Sequence, residues 1–190
     1  VFTFDAINSD LGSSSSTYLF SVRRNGTSQF SVSSNGMVHA KGTIYGDSIN
    51  VATPGAPGDL AETVDVNPSE AVMPGDVMIV DIESLDRYTK SKEVYEQSVA
   101  GVISTKPTIV VGSGTTTSTA TMALIGRVPV NVSTENGPIE TGDLLVTASL
   151  PGHAMRYDPT KDDGGKIISI VGIALESTEE PTDQIMVLLK

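Results

Sequence analysis

Pro74-Gly75-Asp76-Val77-Met78-Ile79-Val80 and Thr141-Gly142-Asp143-Leu144-Leu145-Val146-Thr147 are two versions of one pattern, a Gly-Asp turn running straight into an apolar segment. Short runs of Val, Ile, Leu and Met bounded by Gly, Pro, Asp or Asn read as buried strands. Working outward, Val99-Ala100-Gly101-Val102-Ile103 matches Ile170-Val171-Gly172-Ile173-Ala174, and Met122-Ala123-Leu124-Ile125-Gly126-Arg127 is set against Ile185-Met186-Val187-Leu188-Leu189-Lys190. The order is the same both times: turn, strand, long polar excursion, strand around a glycine, closing strand. Residues 59–190 are therefore expected to form an all-β head of two related halves, about 59–130 and 131–190, folded as a small barrel or sandwich. No window carries a capped helical stripe. Ile82–Gln97 comes nearest, but Tyr88, Thr89, Val94 and Tyr95 fall on no 3.6-residue period.

A second repeat lies upstream. Phe20-Ser21-Val22-Arg23-Arg24-Asn25-Gly26 returns ten residues later as Phe30-Ser31-Val32-Ser33-Ser34-Asn35-Gly36. Phe and Val, two apart, share a strand face, and Asn-Gly supplies the two positive φ angles of a type I′ hairpin turn. Val38–Gly46 reads as a third, degenerate unit. Fifty residues of this kind bury too little to offset chain entropy, so residues 1–50 are expected to be a repetitive β-shaft that associates with copies of itself, as a homotrimer. The alternative is a meander docked on the head. Between shaft and head, residues 51–58 hold two prolines and two glycines and read as a linker.

Charge follows the same division. The chain of 190 residues carries 12 Lys+Arg and 23 Asp+Glu, a net −11. Residues 1–50 are neutral, with Asp5, Asp10 and Asp47 against Arg23, Arg24 and Lys41, so the remainder carries the whole excess. Such acidity argues against a phosphate-backbone binder, and no nucleic-acid partner is expected. No run of about 18 apolar residues exists and no charged-then-apolar leader opens the chain, so no membrane insertion is expected. Absent cysteine removes disulfides, thiolate metal sites and cysteine nucleophiles. The opening Val1-Phe2-Thr3-Phe4 lacks an initiator Met and reads as the edge left by a removed or omitted piece.

Candidate chemistry is sparse, and no cofactor is expected. His39 and His153 have no partners at metal or triad spacing. Gly112-Ser113-Gly114 is no nucleophile elbow but the start of an uncharged Ser/Thr-rich loop, Gly112–Thr121, whose hydroxyls suit sugar recognition. Asp76 and Asp143 read as turn residues whose carboxylates bond the nearby backbone. Asp158, Asp162 and Asp163 make a weak calcium candidate, opposed by Lys161, and a solvated turn is the competing account. Asn25-Gly26-Thr27 and Asn131-Val132-Ser133 match the glycosylation sequon.

Gly58-Asp59-Leu60-Ala61-Glu62, Met73–Asp81 and Val99–Pro107 follow one another, through Ala123–Val130, Glu135–Ile139 and Thr141–Val146 to Pro151–Met155, in an order that resembles the C-terminal domains of phage tail-fibre and neck-appendage proteins. The resemblance covers about residues 58–190. It implies a non-enzymatic module of a virion appendage or extracellular surface fibre, homotrimeric, meeting a host glycan or protein. Part of that family is similar to a self-cleaving, glutamic-peptidase-like domain that acts as an intramolecular chaperone. On that alternative the resemblance makes Asp59 and Glu62 the candidate acid and base.

Overall fold

The computed structural model describes residues 18–161 and 170–190, apart from 35, 45, 47–57 and 85. The segment read as a linker, 51–58, lies outside the described residues except for Gly58. The chain divides into two compact units, 1–50 and 51–190, and each is taken by itself.

In the first unit, β1 (Tyr18–Arg24), β2 (Thr27–Ser33) and β3 (Val38–Ala40) form one antiparallel sheet. The β1–β2 turn is the Asn-Gly pair, with φ of 50° at Asn25 and 78° at Gly26, the left-handed pair that a two-residue hairpin loop needs. Val22 lies opposite Phe30, Phe20 opposite Val32, and Val32 opposite Val38. The Phe20 and Phe30 rings meet edge to face at 6.1 Å. This apolar face is open, with Phe20 42%, Val22 47% and Phe30 38% exposed, while Ser31 and Ser33 on the opposite face are buried. Among the described residues of this unit, no hydrophobic side chain is buried.

The second unit is also all strand among the described residues: β4 (Asp59–Asp65), β5 (Val77–Val80), β6 (Tyr88–Lys90), β7 (Val99–Ile103), β8 (Ile109–Val111), β9 (Thr119–Ser133), β10 (Leu144–Thr147), β11 (Ala154–Arg156), β12 (Gly172–Ala174) and β13 (Thr182–Leu189). Among its described residues, the segment 82–97 holds only the short β6 between turns and bends. Two rings result. One runs β4–β9–β7–β5–β6 and returns to the end of β4 through a parallel bridge from Tyr88 to Val66. The other runs β9–β13–β12–β10–β11 and returns through a parallel pair, Ala154 with Val132. The 15-residue β9 closes the first barrel and opens the second, so the boundary drawn at 130/131 falls inside a strand.

The rings share one register. Val77 opposite Val102 corresponds to Leu144 opposite Ile173, and Met78 opposite Lys90 corresponds to Leu145 opposite Arg156. Even the turn bonds match. Gly75 N–H donates to Ile103 O and Ile103 N–H to Asp76 O, just as Gly142 N–H donates to Ala174 O and Ala174 N–H to Asp143 O. One sequence match is corrected. Val102 pairs with Ala123 and Ile173 with Leu188, so Ala123 corresponds to Leu188 and not to Met186. A two-residue slip keeps every side chain on its face, so an apolar run alone does not fix the register. The glycines do: a Cβ on Gly101 lands on the Ala123 carbonyl, and one on Gly172 lands on the Leu188 carbonyl.

Each barrel is filled at equivalent positions, Val64, Val66, Met78, Ile103 and Met122 in the first and Val130, Val132, Leu145, Ala174 and Val187 in the second. The outer row Val77, Val102 and Ala123 of the first barrel is wholly buried and packs into the second cluster, joining the barrels in one hydrophobic contact.

Candidate functional site: a clamped excursion on the first barrel

The barrels differ between their last two strands. In the second, β12 and β13 are joined by residues 175–181; in the first, β7 and β9 are joined by the longer excursion 104–118, which carries β8. Two carboxylates of β4 hold it. Asp59, 2% exposed, accepts from Ser104 Oγ at 2.6 Å and from Thr108 N–H at 3.3 Å. Asp65, also buried, accepts from the N–H and hydroxyl of Thr115 and from Thr116 N–H (2.9 Å) and Oγ1 (2.8 Å). The Thr115 hydroxyl, helped by Thr116, outweighs burial and holds the Asp65 carboxyl well below the usual carboxylate range. A buried carboxylate is costly unless its lone pairs are satisfied, and here the excursion satisfies them. Between the clamps, β8 lies parallel to β4 with Ile109, Val110 and Val111 all exposed, and Ser113 and Thr117 stand on the surface of the loop beyond. Beside β8, a shallow recess of about 280 Å³ is lined by Leu60, Ile109, Ile125, Thr108 and the glycines 58 and 126. Chemically this surface is apolar along β8 and hydroxyl-rich beyond it, with Asp59 among the residues that line the recess.

The other candidates fall as follows. Glu62 is half-buried on β4 against Gly112, and among the described residues no hydrogen bond joins it to Asp59, whose buried partner is Ser104. Asp76 and Asp143 take matching turn bonds from Met73 N–H (2.7 Å) and Glu140 N–H (2.8 Å). Asp76 does more: it pairs with Lys90 Nζ at 3.0 Å and accepts from Asn131 Nδ2 at 3.0 Å, while Gly152 packs so close that a Cβ there would stand 2.6 Å from its Oδ1. Asn131 Oδ1 accepts in turn from Gln184 Nε2 at 2.9 Å, so the Asn131 sequon spends its amide inside the molecule, while Asn25 sits in the hairpin turn. Asp158 accepts from the Thr160 hydroxyl (2.7 Å) and N–H (2.9 Å), which lower its pKa; Asp162 and Asp163 lie outside the described residues. Among the described residues no three His, Asp or Glu side chains stand together as metal ligands. His153 Nδ1 contacts Pro151 O at 2.8 Å in its turn, and His39 is exposed on β3. Sequence reasoning missed the Asp65 clamp, the Asp76–Lys90–Asn131 joint, and Tyr95, held at φ 57° with its hydroxyl bonded by Asn136 Nδ2 at 3.1 Å. The Thr-rich composition of the loop was the only signal available.

No protein-family model matches the chain, and no curated protein matches it. Among solved structures, the crystal structure of the pre-mature bacteriophage phi29 gene product 12 is similar, with a TM-score of 0.49 at 15% identity over 86% of this chain. The chain spans 24% of that protein.

Proposed function

We propose that this chain is a non-enzymatic structural and attachment module of a virion appendage or phage-like surface fibre, working as a homotrimer. The observation that carries the reading is the open Phe20–Val22–Phe30 face of a unit with no buried apolar side chain among its described residues. A three-stranded sheet with its apolar face in water is marginal, and copies of a neutral unit can cover that face mutually without charge repulsion. The clamped excursion supplies the attachment surface in this reading: shallow, preorganised and repeated in each copy, so that weak contacts to a cell-surface glycan or protein add by avidity. The acidic second unit repels anionic surfaces unless divalent cations bridge.

Light scattering on the full chain at micromolar concentration is expected to give three times the 19.8 kDa protomer mass, and Phe30→Ser to reduce it. A monomer would sink the reading. Adhesion to host cells is expected to weaken in chelator or in competing sugars; adhesion unchanged in both counts against the attachment role.

A further inference from the structure

We infer that the outer row Leu144–Ile173–Leu188 of the second barrel is a docking face for a second copy of this chain, an inference that rests on the multi-copy reading above. The internal repeat carries it. The row is one cross-strand line, Leu144 opposite Ile173 and Ile173 opposite Leu188. By register it is the counterpart of Val77–Val102–Ala123 in the first barrel. There the row is 0% exposed at all three positions, because the chain's own second barrel covers it. In the second barrel the larger Leu144 and Leu188 are 39% and 36% exposed, with Ile173 half-buried between them. One sheet face, built twice, is covered once by a barrel of this chain. The occupant that fits the uncovered version is another such barrel.

Charge points the same way. Arg127 stands directly opposite Leu188 on β9, Lys190 follows the end of β13, and both are exposed. Asp143, beside Leu144, spends its carboxylate on Glu140 N–H. An apolar row with a cationic rim, on a unit that carries the whole −11, is complementary to the acidic surface of a second copy. A row that docks on a different, acidic surface of the next copy makes a heterologous contact, which closes into a ring or runs on as a filament.

The test is a concentration series of the full chain by sedimentation equilibrium. Leu188→Lys places a charge in the row and is expected to raise the dissociation constant more than tenfold. Arg127→Glu, at an exposed position that leaves the core untouched, reverses the rim and is expected to weaken association several-fold; it decides the matter should Leu188→Lys fail to fold. Val110→Lys puts the same charge on the exposed β8 and is expected to leave association unchanged. If the parent chain associates while Leu188→Lys and Arg127→Glu behave like it, the docking face is overturned and the multi-copy reading stands. If Val110→Lys alone disrupts association, the contact belongs to β8 and this proposal fails. A parent chain that stays monomeric removes both.

Discussion

Gly126 is the residue at which β9 changes partners, lying opposite Asp59 of β4 and also opposite Leu189 of β13. Its φ of 114° belongs to a region that L side chains rarely adopt, and a Cβ would stand 2.5 Å from Gly58 O and 2.7 Å from Asp59 Cα. Gly126→Ala therefore meets two penalties, backbone strain of about 1–3 kcal/mol and a clash with backbone that has nowhere to move. Gly142 has φ 100° with nothing within 4 Å, so Gly142→Ala incurs only the strain. Urea unfolding of the two variants is expected to rank Gly126→Ala as clearly the more damaging; equal losses would mean that the pivot carries no steric constraint. Their legibility differs for a physical reason. Gly142 announces itself through the Gly-Asp turn that precedes an apolar run. The constraint on Gly126 comes from Gly58 and Asp59, far away in the chain, and no local pattern records it.

At the scale of elements, the strands that carry an alternating or continuous apolar run were readable. β4 was not, with Asp59, Glu62 and Asp65 in seven residues, and neither were the three-residue β6, β8 and β11. Asp59 and Glu62 were named as candidate acid and base and Asp65 was not singled out; in the fold Asp59 and Asp65 are ties whose partners lie 45 to 51 positions downstream. The same distance hid the excursion: its Thr-rich composition said loop, but the clamp at Asp65 is a tertiary fact. The Asp65 carboxylate accepts from four donors, and Asp65→Asn leaves one oxygen to accept while the new NH₂ is set against donors it cannot accept from. Hydrogen exchange at the Thr115 and Thr116 amides is expected to accelerate at least tenfold, with the barrel amides little changed. Unchanged exchange would show that the loop holds itself. The pH dependence follows from the sign of the shift. A carboxyl with its folded pKa depressed contributes stability fully above its unfolded value, about 4, and loses it as pH falls toward the folded value. The gap in melting temperature between the parent chain and Asp65→Asn is therefore expected to be widest near neutrality and to narrow below pH 4. A gap independent of pH would assign the clamp to shape rather than to charge.

For the molecule as a whole, the division of charge sets how copies would meet on the proposed reading. The first unit is neutral with an open apolar sheet, while the second carries the entire −11. On the proposed multi-copy reading, apolar association through the first unit and through the Leu144–Leu188 row would be insensitive to moderate salt, while the acidic units drawn together would repel. At 0.01 M ionic strength the screening length is about 30 Å, comparable to the width of a small barrel, and at 0.1 M it shrinks to about 10 Å. Association driven by apolar faces against a like-charge background is thus expected to tighten as salt rises from 0.01 to 0.1 M, and to tighten again as pH falls toward the pI near 4.4. Association held mainly by ion pairs between copies, such as Arg127 or Lys190 against acids of a neighbour, would loosen over the same salt range. Sedimentation at the two ionic strengths separates the cases. Tightening places the cationic rim in the role of orienting copies whose affinity comes from apolar burial, and loosening makes that rim the dominant contact.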